Sequence, residues 1–445
     1  MSWSDRTFGR QLNQLDGACY HGKTTSCARS TGPAVTATGV DLPRNVGYPG
    51  ALLPRVLVLS SEFPPGPGGI GTHAYHLARE LHRHGWDVTV ASPQEMAEQA
   101  AISAFDRQQP FAVHQLKQFG PSAVRLAYRM ATVSTLIRRS PPDVIVASGE
   151  RMVWLAALLE RLHHIPYLAV GHAMEFNVPA RWRRAVTRRS FGRAAAVVCV
   201  SEYTRSHMVR AGISARASAV IPNGADDERF GLVEAEATAR FRDKYRLGTG
   251  PLLITVGSVH ERKGQDVAIR ALPRVLDRFG DVHYAMVGVP YRREQFMTLA
   301  RELGVEDHVH ILGVLPADEV VCALNAADLF VMTSQHTPNG DFEGFGIAVV
   351  EAALCGRAAV VSDNSGVVEA IEPGETGLVA KISDPVSTAD RLIELLADRP
   401  RLAAMGQLAR KRAVETKTWQ RRGVEYHQLL QRLVGTSDPA RTSYS

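Results

Sequence analysis

The residues best suited to chemistry lie in one stretch, Asp341-Phe-Glu-Gly-Phe-Gly-Ile-Ala-Val-Val-Glu-Ala-Ala-Leu-Cys-Gly356. Ile347 to Cys355 reads as a short helix that Gly356 ends in a left-handed cap. Its residues are apolar on every face except at Glu351, and an all-round apolar helix is normally a buried one. A buried carboxylate is costly unless something satisfies it, and the paired hydroxyls of a ligand are one good partner. Phe345, Gly346 and Ile347 offer free backbone N–H groups at the helix start, where a phosphate settles. Glu343 sits just ahead, in a loop that reaches the same place. In the plainer alternative Glu351 caps a neighbouring element and Glu343 is a solvated loop charge. That accounts for either glutamate alone, but not for the whole arrangement.

These residues need a frame, and the chain supplies two. Arg55–Ser60 (RVLVLS) is a continuous apolar run of strand length. The loop Pro64-Pro-Gly-Pro-Gly-Gly-Ile-Gly71 follows, and then a helix that Thr72 can cap, with Tyr75, Leu77, Ala78 and Leu81 at helical spacing. Gly85 stops it, and Asp87–Ala91 is the next strand, completing a βαβ unit typical of a parallel sheet. Further strands are predicted at Asp143–Ala147, Tyr167–Val170 and Ala195–Val200. The turn signal Ile221-Pro-Asn-Gly224 interrupts the pattern. A second alternation has strands at Leu252–Val256, Val282–Val287, Val309–Leu312, Leu329–Met332 and Ala358–Val361. The expected fold class is therefore α/β, with two Rossmann-like domains facing a cleft. Ligands of such sheets bind at the carboxyl ends of the strands.

Length and composition agree. A chain of 445 residues, 45% of them hydrophobic, suits two domains with full cores. We divide it into a tail at 1–50, an N-terminal domain at 51–235, a C-terminal domain at 236–415, a helix at 416–436 that returns to the first domain, and a tail at 437–445. No apolar run approaches the ~18 residues of a membrane span, and residues 1–50 hold no signal-peptide core. Five scattered cysteines form no CxxC pair, which argues against a disulfide frame or a zinc site and for a reducing cytosol. The formal charge of +6 suits an anionic partner.

The Glu-x7-Glu pattern, EGFGIAVVE, resembles the donor-site motif of family-4 retaining glycosyltransferases of the GT-B fold. The resemblance runs from about Arg55 to Leu430 with its motifs in the expected order. PPGPGGIGTHAYHLARELHRHGWDVTV looks like the opening glycine loop and first helix. VGHAMEF looks like the histidine-bearing loop, and CVSEYTRSHM with VIPNGADDERF like the approach to the hinge. VGSVHERKGQD looks like the phosphate-binding loop, and SGVVEAIEPGETGLV like the stretch after the glutamates.

The resemblance implies that Glu351 binds the ribose hydroxyls of a nucleotide and Glu343 the hydroxyls of a donor sugar. Lys263 would neutralise the departing diphosphate, Gly69 would bring an amide to it, and His172 would lie near the sugar. It implies retention, an α-linkage, no bound metal and no cofactor beyond the nucleotide-diphosphate sugar itself (GDP-mannose, UDP-glucose or UDP-N-acetylglucosamine). The acceptor would be a lipid, glycan or small molecule. Two positions depart from the pattern. Ser258 stands where many relatives have an arginine, so either Arg262 replaces that charge or its neighbouring position aims it away and Lys263 acts without it, and Gly288-Val-Pro290 replaces a glycine-aspartate-glycine turn.

Gly66, Gly68 and Gly71 spell GxGxxG, but prolines interrupt the loop and the second strand ends at Ala91-Ser92 without the acidic residue that grips a ribose, which counts against a nicotinamide enzyme. A GT-B enzyme of another class (epimerase or phosphorylase) and an inactive binding protein are the alternatives to a transferase. The segment Arg181-Trp-Arg-Arg-Ala-Val-Thr-Arg-Arg-Ser-Phe-Gly-Arg193 contains no acid. It fits either a helix lying on an anionic membrane surface, with Trp182 and Phe191 as anchors, or a solvated helix. No base-reading module argues for nucleic acid. The localisation expected is cytoplasmic, peripheral to the inner face of the membrane if that helix binds lipid.

Overall fold

A computed structural model describes residues 53–95, 97–177, 180–338 and 340–435. The segments read as tails, 1–50 and 437–445, lie outside the described residues.

Among the described residues the strands are β1 (Arg55–Ser60), β2 (Asp87–Ser92), β3 (Ala112–Gln115), β4 (Val144–Ser148), β5 (Tyr167–Gly171), β6 (Ala196–Cys199) and β7 (Ser218–Val220), then β8 (Leu252–Val256), β9 (His283–Val287), β10 (Val309–Gly313), β11 (Leu329–Met332), β12 (Ala359–Ser362) and β13 (Gly377–Ala380). They form two all-parallel sheets, ordered β3-β2-β1-β4-β5-β6-β7 and β10-β9-β8-β11-β12-β13. The central strands are buried on both faces because helices cover both sides, so they read as unbroken apolar runs. In each sheet the strand order reverses once, between β1 and β4 and between β8 and β11, and a crevice opens there beyond the strand ends.

The expected strands are all present, with ends shifted by a residue at most. Three others, β3, β7 and β13, were not anticipated, and each is the edge of its sheet. An edge strand needs no apolar residue on both faces, so Ala-Val-His-Gln and Ser-Ala-Val carry little signal. The first helix also begins earlier than expected, at Gly69 rather than beside Thr72. The Thr72 hydroxyl donates back to the Gly68 carbonyl (2.9 Å) from inside the first turn and caps nothing.

The chain crosses between the sheets twice, and the crossings touch. The Ala225 amide donates to the Lys417 carbonyl (2.9 Å), and the Trp419 amide returns to the Ala225 carbonyl (3.2 Å). Gly224 permits this approach, since a Cβ there would lie 2.6 Å from the Trp419 nitrogen. The helix Trp419–Gly435 then packs on the helix Gly69–Arg83. His73 Nε2 meets the Tyr426 hydroxyl at 3.0 Å, Trp86 Nε1 donates to His427 Nδ1 at 2.9 Å, and His76 stacks on Trp419. Across the cleft, the Glu369 carboxylate accepts the amides of Glu202 and Tyr203 (2.8 Å each) at the start of the helix Glu202–Arg210. A carboxylate at a helix N-terminus is favoured by the unpaired N–H groups there.

Trp419 is 2% exposed and fills the seam between the two crossings. Replacing it with alanine is expected to cost about 3–5 kcal/mol in urea-induced unfolding. A loss below about 1 kcal/mol would mean that the seam contributes little.

Candidate active site

The candidate residues gather at the two crevices. Gly69 follows β1, His172 follows β5, Ser258, Arg262 and Lys263 follow β8, and Glu343 to Glu351 follow β11. Beyond β8 the chain makes a single 3-10 turn, Glu261–Lys263, begun by His260, whose Nδ1 accepts from the Arg262 amide at 3.3 Å. That turn aims two consecutive cations at one acid. Lys263 Nζ lies 2.8 Å from Glu343 Oε2, and Arg262 Nη1 bonds the same oxygen. Ser258, where the arginine was missing, offers its carbonyl to Gln265 Nε2 (3.0 Å). Arg262 is aimed into the cleft at Glu343, beside Lys263.

The electrostatics follow from this geometry. Burial pushes the Glu343 carboxyl up, but Arg262 and Lys263 outweigh it and hold its pKa at about 2. Burial lowers the Lys263 pKa, with Glu343 opposing and Arg262 assisting. Two cations share one carboxylate, so these three groups together carry one net positive charge, with the Glu62 carboxyl felt by Arg262 and that of Glu351 by Lys263.

Glu351 is in the opposite condition. It projects from the helix Ile347–Leu354, is half-buried, and its carboxyl makes no hydrogen bond among the described residues. Burial raises its pKa to about 7, against the pull of Arg229 and Lys263 and with the repulsion of Asp226. The amides of Phe345, Gly346 and Ile347 open this helix, where the first N–H groups have no partner within the helix. Gly356 takes the left-handed conformation (φ 74) that the sequence assigned to it.

The first domain closes over this loop. A Cβ at Gly344 would lie 2.0 Å from the His172 carbonyl, so only glycine lets the two loops meet. Ser148 Oγ bonds His172 Nε2 at 2.7 Å, and burial lowers the His172 pKa to about 4, which keeps the ring neutral at ordinary pH. Glu175 fixes the same loop by accepting the amides of His172 (3.1 Å) and Ala173 (2.9 Å). Gly69 opens the first helix with free space where a side chain would stand.

Sequence reading passed over three residues here. Glu62 reaches the start of the first helix, where a Cβ on Gly68 would lie 2.1 Å from its carboxylate, and it feels the charge of Arg262. Asp226 and Arg229 come from the first crossing and set the potential at Glu351. Glu62 had a signal, being the one acid beside the glycine-proline loop. The other two sit in a charged run whose contacts no local pattern reveals.

Residues 67–229 match the family model described as Glycosyltransferase Family 4, and residues 237–412 the model described as Glycosyl transferases group 1. A GDP-mannose-dependent alpha-(1-6)-phosphatidylinositol monomannoside mannosyltransferase of Mycolicibacterium smegmatis is 31% identical over 401 residues, covering 84% of this chain and 98% of that protein. A GDP-mannose-dependent monoacylated alpha-(1-6)-phosphatidylinositol monomannoside mannosyltransferase of Corynebacterium glutamicum is 27% identical, covering 85% and 98%. In fold, the chain is similar to an Anabaena protein crystallised with UDP and glucose (TM-score 0.71, 21% identity, covering 84% and 99%).

Glu351 carries a testable energetic consequence. Its folded pKa lies above its unfolded one, so the stability it contributes is full below pH 4.5 and is lost as pH rises through about 7. Glu351→Gln should therefore be more stable than wild type by about 1–3 kcal/mol at pH 8, with the gain vanishing near pH 4.5. Chemical denaturation at the two pH values measures this. An equal change at both would contradict the raised pKa.

Proposed function

Because this chain belongs to the family-4 glycosyltransferases of the GT-B fold, we propose that it transfers mannose from GDP-mannose to a phosphatidylinositol mannoside or a similar lipid-linked glycan, forming an α-linkage with retention. The names of its relatives support the donor and the lipid acceptor. The observation that carries the catalytic reading is the convergence of Lys263 and Arg262 on Glu343 beside an unbonded Glu351.

In this reading the donor diphosphate takes the place of a carboxylate as the anion against Lys263 and Arg262. The amides of Phe345, Gly346 and Ile347 and that of Gly69 approach its oxygens. Glu343, released from part of its ion pairing, accepts hydrogen bonds from the sugar hydroxyls. Glu351 accepts the two ribose hydroxyls, whose donation favours its charged form. Ser258 lies in the turn beneath the phosphates, and neutral His172 faces the sugar from the first domain.

As the bond from the anomeric carbon to the phosphate oxygen breaks, negative charge grows on the diphosphate. Fixed cations that stabilise this growing charge commonly supply the largest catalytic term. Lys263 and Arg262 could carry it without a metal ion. The acceptor oxygen attacks from the face that the phosphate leaves, and its proton passes to the departing phosphate oxygen, so configuration is retained. Closure of the two domains about the paired crossings excludes water from the activated sugar.

The basic helix Arg181–Arg193 supports an acceptor presented by an anionic membrane. Arg183 and Arg193 are tied to Glu150 and Glu160, but Arg181, Arg184, Arg188 and Arg189 are exposed and make no ion pair among the described residues. Trp182 is 64% exposed beside them. Phe191 is buried, so it is a core residue and not the second anchor. No described helix is long and apolar enough to cross a membrane.

Two measurements test this reading. With GDP-mannose and a phosphatidylinositol mannoside acceptor, Glu343→Ala should lower transfer by about 10- to 100-fold while GDP still binds. Unchanged turnover would remove Glu343 from catalysis, and transfer only from UDP-glucose would overturn the donor. In sedimentation with anionic vesicles, replacing Arg181, Arg184, Arg188 and Arg189 with glutamine should release the protein into the supernatant. Equal recovery of wild type with neutral and anionic vesicles would remove the membrane surface.

A further inference from the structure

Far from the cleft, at the opposite edge of the second sheet, the amino ends of β9 and β10 bring three histidines and an aspartate together. His283 begins β9, His308 and His310 flank the start of β10, and Asp281 follows the turn at Gly280. Ligand atoms of Asp281, His283 and His308 all lie within 4.8 Å of one another. His283 Nε2 is 2.9 Å from Asp281 Oδ1, and His283 Nδ1 is 2.9 Å from His310 Nε2. The length of β9 separates this cluster from the donor site by roughly 13 Å of strand.

We propose that Asp281, His283 and His308 form a binding site for a divalent transition-metal ion of the zinc class, separate from the transferase site. Two imidazoles and one carboxylate with an open fourth position are a donor set that such ions accept. Hydrogen bonding has already prepared His308. Its Nδ1 lies 3.1 Å from the Val282 carbonyl, which can only accept, so Nδ1 carries the proton and Nε2 keeps a free lone pair. Metal-bound histidines typically hold their second nitrogen this way.

His283 is poised similarly. Without metal, its Nε2–H donates to Asp281 and its Nδ1 accepts from His310 Nε2–H. On metal binding the His283 Nε2 proton leaves and His310 passes its own to His283 Nδ1. Solvent returns one proton to His310 Nδ1, so both rings stay neutral and the metal gains the Nε2 lone pair. His310 is thus a positioning residue rather than a ligand.

The site needs only local contraction. Donor atoms around a tetrahedral zinc ion are about 3.3 Å apart, and the Asp281 side chain, 55% exposed, can swing inward. Gly248 (φ +65) lies over the cluster, and a Cβ there would meet His283 Nε2 at 2.4 Å. The backbone of the loop before β8 therefore packs against one side of this nitrogen, and the ion would approach from the side of Asp281 and His308. Arg242, whose charge reaches His283, is itself paired with Asp328 at 3.0 Å. A bound ion would tie the ends of β9 and β10 together.

The test is calorimetric titration of untagged full-length protein with ZnCl2, in wild type and in the variants Asp281→Asn and His308→Ala. Circular dichroism verifies the fold of each. We expect one zinc ion per chain, at least about tenfold weaker binding in each variant, and a rise in wild-type Tm with ZnCl2 that MgCl2 does not give. An absence of saturable one-to-one binding, or affinity unchanged in either variant, would overturn the proposal.

Discussion

The ion triad of Glu343, Lys263 and Arg262 is the interaction on which the cleft depends. Two cations in a half-enclosed site repel each other and lose hydration, and one shared carboxylate offsets only part of that cost. The backbone around the triad is arranged to hold it. The 3-10 turn after β8 sends both cations in one direction, and the Gly366 amide bonds the Glu343 carbonyl at 3.0 Å. Gly344 brings the acidic loop against the His172 carbonyl of the first domain. The triad is thus tied to both sheets, and its excess positive charge is an open demand for an anion.

The loop glutamate Glu343 and the helix glutamate Glu351 show how environment divides one residue type between two roles. Glu343 is held ionised at any pH well above about 2 by the paired cations, which outweigh its burial. Glu351, without a hydrogen bond and with Asp226 nearby, titrates near 7. The first acts as a fixed negative charge that must find new partners when an anion enters. The second is a costly acceptor that a ligand's hydroxyl groups relieve. Such strain is expected where a site is complete only with its ligand.

Much of this was legible in the sequence, because buried parallel strands and an apolar helix with one acid leave strong local signals. The β8 strand, the helix carrying Glu351 and its terminating Gly356 follow directly from residue type and spacing. What was not legible depends on distant partners. The edge strands β3 and β7 lack a second buried face, so their sequences resemble loops, and β13 is only four residues long, directly after the turn-rich Pro373-Gly-Glu-Thr376. The aim of Arg262 depends on a single turn, and the influence of Asp226 and Arg229 on how the crossing segment folds back. The cluster of His283, His308 and His310 shows no metal spacing along the chain. It exists because β9 and β10 are neighbours in the sheet.

The account rests on Glu343 acting as a stand-in anion that the donor diphosphate replaces at Lys263 and Arg262. Calorimetric titration of GDP into wild type and Glu343→Gln tests this most directly. If the carboxylate competes with the diphosphate, the variant binds GDP about tenfold more tightly, in keeping with the ~1.4 kcal/mol that a modest charge competition is worth. If Glu343→Gln binds GDP more weakly than wild type, the carboxylate organises the cations rather than occupying the diphosphate's place, and the exchange of anions is wrong.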